Sequence, residues 1–225
     1  MSGLELAAAA ASPGVAMQAA VIAWVLAVPL YFVTRWIGAV VHEGGHAIVA
    51  MALLRGVYSI RFNRNGGGET ERQPVMWPFG ILISFAGYTG PSMFGLVAAW
   101  LLLHGRTDAV LWGSMAFLVM MLLVMRGFIG WLVVPVLIFV LYEITTSVEP
   151  PRQLLLAHVW TWFMLIYAVQ QMIVYIHQKH YENPKSDTGR LRGYTMLPSV
   201  FWAAVLLATT IFALGWGGAM LLGLS

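Results

Sequence analysis

Long hydrophobic runs separated by a few polar stretches set the pattern of this chain. The first run covers residues 15–54, and Arg35 and one polar cluster at residues 42–46 are its main interruptions. A membrane-spanning helix needs only about 20 residues, so this run contains either two spans that meet near Pro29 or one long helix kinked there. No polar turn separates the two halves, and this favours one long kinked helix.

Further apolar runs follow, long enough to span a membrane. The chain is 60% hydrophobic and 9% charged, whereas soluble domains carry about 25% charged residues. We therefore predict an all-α polytopic membrane protein of about six transmembrane helices, with residues 1–225 forming a single domain. The later runs lie at about 76–104, 109–125, 128–146, 153–177 and 197–222.

The first long polar stretch, residues 55–75, has the two-residue period of a β-strand. Tyr58, Ile60 and Phe62 alternate with polar residues, and Asn65-Gly66 is typical of a hairpin turn. We predict a short β-hairpin after the first helical run, a solvated loop being the alternative. An edge strand here could pair with an extended substrate, with Tyr58 and Ile60 as contacts.

A glycine-rich stretch, Gly87–Gly95, lies inside the run at 76–104 and contains Pro91. Glycines let helices approach closely, and we favour this packing interpretation. The alternative is local unwinding, which would admit water or substrate. In that setting Tyr88 is a third candidate substrate contact.

The distribution of Lys and Arg predicts the orientation. Loops 55–75, 126–127 and 178–196 fall on one side and carry 9 of these residues, whereas the loops on the other side carry 2. The positive-inside rule places 55–75 and 178–196 in the cytoplasm.

The formal net charge of +3 is too small to indicate nucleic acid as a partner. The chain has no cysteine, so any metal must be bound by His and carboxylate groups.

The polar cluster at residues 42–46 is the strongest chemical signal. His42 and His46 lie four residues apart, on one face of a helix, where both imidazoles can reach one metal ion. Glu43 follows the first histidine and is placed to act on a metal-bound water. This is the HExxH arrangement of zinc metallopeptidases, with two ligands and a general base. The alternative is a pair of satisfied core or heme-facing histidines.

A catalytic zinc usually has three protein ligands, so a third is needed. His46 lies eight residues before Leu54, about 12 Å from the predicted cytoplasmic end of its helix at 1.5 Å per residue. Candidates towards the opposite end are His104, Asp108, Glu143 and His158. Candidates on the same side as His46 are His177, His180 and Asp187.

The segment around Asp187 has a second interpretation. Residues 181–188 also resemble a turn in which Ser or Asp caps a short helix. From the residues alone, the third ligand therefore stays open.

Several motifs, in this order, resemble the site-2 protease family of intramembrane zinc metallopeptidases. The similarity is greatest to its compact bacterial branch, which lacks PDZ and CBS domains. The matching features are His42–Ala47, Gly87-Tyr88 with Gly90-Pro91-Ser92, Met125-Arg126 before Phe128-Ile129-Gly130, and Ser186-Asp187 with Leu191, Thr195, Pro198 and Trp202.

The resemblance implies that His42 and His46 bind Zn²⁺ and that Glu43 is the general base. The chain departs from the family in one respect. Better-known members take the third ligand from an Asn-Pro-Asp-Gly-like motif on a later span, which is missing here, and Gly127 stands where the compact branch tends to have Asn. The resemblance favours Asp187 as the third ligand.

The implied function is hydrolysis of peptide bonds in membrane-embedded protein or peptide substrates, within the lipid bilayer of a bacterial cell membrane. Two other hypotheses fit the residues. The missing Asp motif is compatible with an inactive pseudoprotease that binds membrane helices. The cluster of His42, Glu43 and His46 is compatible with a small metal or proton transporter.

Overall fold

The computed structural model describes residues 13–62, 68–72 and 76–224. This part of the chain contains eight α-helices and three short strands, which confirms an all-α polytopic fold with a β-hairpin. The elements are α1 (Pro13–Ala27), α2 (Tyr31–Ala52), β1 (Val57–Phe62), β2 (Gly68–Arg72), α3 (Trp77–Leu103), α4 (Thr107–Val124), β3 (Met125–Arg126), α5 (Phe128–Ser147), α6 (Pro150–His177), α7 (Asp187–Thr195) and α8 (Ser199–Leu221).

Five of these helices are long and apolar enough to cross a membrane, namely α3, α4, α5, α6 and α8. Helices α1 and α2 pass the same test only as a pair, bent by 100° at the break between them. The prediction of one continuous kinked helix over residues 15–54 is therefore wrong. Pro29 has no backbone N–H to offer Val25, and the carbonyl of Val25 instead accepts from the N–H of Leu30 at 3.1 Å.

Small residues let neighbouring helices pack closely against one another. In α1 the alanines at positions 16, 19, 23 and 27 are fully buried on one face, which packs against α6. Between α2 and α3, a Cβ on Gly45 would collide with the backbone of Ala86, and one on Gly90 would lie 3.0 Å from the carbonyl oxygen of Val41.

Helix α3 runs without a break through Pro91. The packing interpretation of the glycine-rich stretch is thus confirmed, and local unwinding is not observed there. Gly44, which lies between His42 and His46, likewise packs closely against Phe117 and Met121. These glycines serve close contact between elements.

The hairpin pairs β1 with β2 in antiparallel register, with Ile60 opposite Thr70. Its turn, at residues 63–67, lies outside the described residues. The two-residue strand β3, which the sequence did not predict, pairs in parallel with the other side of β1, with Met125 opposite Ile60. The strand order is β2-β1-β3, so β1 is central and β2 is an outer strand.

Candidate metal centre

Helix α2 places His42 and His46 side by side in the interior. Both are buried, with exposed fractions of 8% and 7%, and their ring centroids are 5.0 Å apart. The Nδ1 atom of His46 lies 2.6 Å from the carbonyl oxygen of Ile83 in α3. A carbonyl can only accept, so Nδ1 carries the ring proton and Nε2 keeps a lone pair for a metal.

Asp187 is the first residue of α7, and its side chain turns towards the two histidines. Its Oδ2 atom lies 3.4 Å from Nε2 of His42 and 3.2 Å from Nε2 of His46. The sequence left open whether Ser186 or Asp187 caps this helix. The Ser186 hydroxyl takes that role, because it accepts the N–H of Gly189 at 3.2 Å.

The start of α7 is held in place by Tyr175 from α6. Its hydroxyl lies 2.6 Å from Oγ1 of Thr188 and donates to Oγ of Ser186 at 3.1 Å. Since these two residues flank Asp187 on either side, the bonds hold the carboxylate in front of the histidines.

Burial alone would raise the pKa of Asp187. The charge of His46 in its protonated form and hydrogen bonds from the Nε2–H groups of both imidazoles outweigh that effect and hold the pKa of Asp187 well below its usual range. A bound metal ion would take the place of those two Nε2 protons. Asp187 is therefore an anion at neutral pH.

These three side chains fit a metal ion. Their potential ligand atoms all lie within 4.8 Å of one another, and they are the group of this kind found in the described part of the chain. Two ligands about 2.1 Å from a tetrahedral zinc lie roughly 3.4 Å apart. The carboxylate-to-imidazole separations of 3.2 and 3.4 Å match this spacing. Two nitrogens and one anionic oxygen are also a donor set that zinc accepts.

Glu43 lies beside this group and is 3% exposed. Its Oε1 atom is 4.0 Å from Nε2 of His42. Its Oε2 atom accepts a hydrogen bond of 2.5 Å from the hydroxyl of Thr70 in β2. Gly68 packs so closely on the same carboxylate that a Cβ there would collide with it. The outer hairpin strand therefore holds the side chain that the sequence predicted as the base.

A mainly polar cavity of about 420 Å³ opens onto these groups. Helices α2, α3, α6 and α7 and strand β2 contribute to its wall. The two long polar stretches, 55–75 and 178–196, thus meet at one site. Besides the histidines, Glu43 and Asp187, its lining includes Gly68, Thr70, Tyr88, Gln171, His180, Lys185 and Arg190.

The predicted substrate contacts have different positions. Tyr88 lines the cavity, with its ring centroid 4.5 Å from that of His42 in an edge-to-face arrangement. Ile60 is fully buried between β2 and β3, so its side chain offers no surface to a substrate. The side chain of Tyr58 lies outside the described part of the structure.

Two polar contacts of the site, Thr70 and Gln171, were not predicted from the sequence. Thr70 sits in the predicted hairpin, but nothing local shows that it faces Glu43. Gln171 approaches Nδ1 of His42, and the pair Gln170-Gln171 in the mostly apolar second half of α6 was a usable signal. Of the other proposed third ligands, His180 lines the cavity without joining the three-residue group, and His177 is exposed.

Comparison with known proteins identifies the family of this chain. The family model described as Peptidase M50B-like matches residues 15–217, which is most of the chain. Peptidases of this kind are membrane metalloproteases and are generally zinc-dependent. No curated protein and no solved structure gave a match. The chain therefore belongs to the Peptidase M50B-like family and, through it, to the site-2 protease family.

Proposed function

We propose that this protein is an intramembrane zinc metalloendopeptidase that hydrolyses peptide bonds of membrane-embedded substrates. His42, His46 and Asp187 hold the zinc, and Glu43 is the general base. The observation that carries this proposal is the convergence of two imidazoles and one carboxylate at ligand spacing, with a second carboxylate beside them. The family supports the same class of reaction.

The residues divide the chemistry between them. When bound, zinc lowers the pKa of water and polarises a carbonyl group. Glu43 accepts the proton of the attacking water and returns it to the leaving amine. Thr70 keeps Oε2 of Glu43 in a fixed direction through its hydrogen bond. Asp187 would contribute an anionic ligand that offsets part of the charge of the ion.

A substrate would approach along the outer hairpin strand. Because β1 is covered on both sides, β2 has the open edge, with no strand on its far side among the described residues. Gly68 and Thr70 of β2 line the cavity next to Glu43. An extended segment paired with this edge would carry its backbone past the metal group, and Tyr88 would contact its side chains. The cytoplasmic side of this approach remains our prediction from the charge pattern.

The test combines zinc content with cleavage. Detergent-purified protein is loaded with zinc, dialysed and analysed for metal per chain. It is then reconstituted in liposomes with a set of single-pass transmembrane reporter peptides, and products are identified by mass spectrometry. We expect about one zinc per chain and cleavage of at least one reporter.

Glu43→Gln should keep the zinc and lower the cleavage rate by roughly 10²- to 10⁴-fold, since only the base is removed. Glu143→Gln is the matched control, because it makes the same change in α5, away from the site. Normal cleavage by Glu43→Gln would show that the base is another group. A correctly folded chain without zinc would favour the pseudoprotease, and zinc flux into liposomes without proteolysis would favour the transporter.

A further inference from the structure

Gln171 is a polar residue of the site for which the proposed chemistry has no role. It lies in α6, lines the cavity, and reaches His42 through the end of its side chain. The amide nitrogen is 3.2 Å from Nδ1 of His42. Nδ1 is the ring nitrogen on the far side from Asp187, whose Oδ2 lies near Nε2.

The tautomer of His42 decides which end of the amide must face it. A neutral imidazole has one N–H donor and one acceptor nitrogen. If the amide nitrogen of Gln171 donates to Nδ1, the ring proton is on Nε2, and that atom cannot bind a metal. If Oε1 of Gln171 accepts from Nδ1–H instead, Nε2 keeps its lone pair on the side of Asp187.

Among the residues that the structure describes, only His42 forms a hydrogen bond with the amide of Gln171. Oε1 is buried and has no hydrogen-bond partner within the described residues. A half-turn of the amide exchanges its nitrogen and its oxygen. Either atom can then form the hydrogen bond with His42. Since the rest of the pocket favours neither orientation, the histidine decides it.

The second histidine shows the arrangement that the metal group requires. Nδ1 of His46 faces the carbonyl oxygen of Ile83 at 2.6 Å, and a carbonyl can only accept a hydrogen bond. His46 is thereby held in the tautomer with a free Nε2. His42 has no such backbone contact among the described residues, and the amide of Gln171 occupies the equivalent position.

We propose that Gln171 is a positioning residue of the metal centre, whose Oε1 accepts the Nδ1–H of His42 and so holds the ring in its metal-binding tautomer. This proposal rests on the proposed function, in which His42 is a zinc ligand through Nε2. Gln171 acts on the ion only through His42.

The experiment compares variants by their zinc affinity. Gln171→Met removes the acceptor from a side chain of similar length, whereas Gln171→Glu keeps an acceptor oxygen. Gln170→Met is the matched control, since it makes the same change one residue earlier, outside the cavity lining. Zinc affinity is measured on the full chain in detergent by competition with a chromophoric chelator. The Co²⁺-loaded proteins are compared by visible absorption, which reports the coordination of the ion.

We expect Gln171→Met to lose roughly 10- to 100-fold in zinc affinity, the usual effect of removing an acceptor behind a metal-bound histidine. Its Co²⁺ spectrum should change as well. Gln171→Glu and Gln170→Met should stay within about threefold of the native affinity, well inside that range.

Two results would overturn the proposal. One is native zinc affinity in Gln171→Met, with any loss confined to the KM of a reporter peptide, which would assign Gln171 to the substrate. The other is an equal loss in Gln171→Met and Gln171→Glu, because only one of them lacks the acceptor. Both results leave the proposed function intact, whereas a native chain that binds no zinc contradicts the proposed function itself.

Discussion

Gly87 shows how one missing side chain makes room for the histidine pair. It lies in α3 directly against the two imidazoles. A Cβ at this position would collide with the ring of His46 and would also approach Nε2 of His42 too closely. Both histidines are buried in packed surroundings, so the rings have little space in which to move away. The site therefore depends on glycine at this point of α3.

We expect Gly87→Ala to weaken zinc binding by at least about tenfold, comparable to disturbing a contact behind a metal ligand. Gly113→Ala in α4 is the control, because a Cβ at Gly113 meets nothing within 4 Å. That control should bind zinc normally and gain up to about 1 kcal/mol of helix stability. Chelator competition and thermal unfolding of both variants measure these effects. Unchanged zinc affinity in Gly87→Ala would mean that the imidazoles can shift freely.

At the scale of elements, the hairpin does more than line the site. Its central strand β1 is fixed on both sides, by β2 and by the short strand β3. Among the described residues no strand pairs with the far edge of β2, and Thr70 of this strand is bonded to Glu43. The hairpin therefore links the general base to the strand on which we expect a substrate to pair.

Thr70→Val tests this link, because valine has the shape of threonine without its hydroxyl. A hydrogen bond to a charged group contributes about 1.5–3 kcal/mol, so we expect cleavage to slow by roughly tenfold or more. Zinc content should not change, since Thr70 does not contact the ligand atoms. Thr70→Ser retains the hydroxyl and should cleave at close to the native rate. If valine and serine behave alike in the liposome assay, the hydroxyl does not serve Glu43.

At the scale of the whole molecule, the site joins distant parts of the chain. His42 and His46 come from α2 near the start, and Asp187 comes from α7 near the end. Between them, α6 supplies Tyr175, which holds the start of α7. A bound ion would link α2 to α7 directly and so stabilise the folded chain.

Zinc should therefore raise the thermal unfolding temperature of the native protein in detergent. A ligand at 100 times its Kd stabilises the folded state by about 2.7 kcal/mol. Asp187→Asn should lose most of this increase, because it removes the anionic ligand. Asp108→Asn should keep it, since Asp108 lies outside the metal group and pairs with Arg106. A chelator should reverse the increase, and equal increases in both variants would exclude Asp187 as a ligand.

Local patterns in the sequence determined much of this protein. Apolar runs of span length predicted the helices, because a membrane helix satisfies its backbone within its own segment. The spacing of His42 and His46 placed both on one helix face. Alternation at residues 58–63, followed by Asn65-Gly66, predicted the hairpin. Pro29 was a local signal as well. The size of the bend was not, since a proline can kink a helix or end it.

The tertiary structure decided what lies far apart along the chain. In the sequence, either Ser186 or Asp187 could cap a short helix. The structure shows that Ser186 is the cap of α7 and that Asp187 faces the two histidines of α2. The pairing of β3 with β1 buried Ile60, and the packing of α6 brought Gln171 to His42. Periodicity along a sequence records which residues share a face of one element. It contains no distance between elements, and those distances are what assemble a metal site.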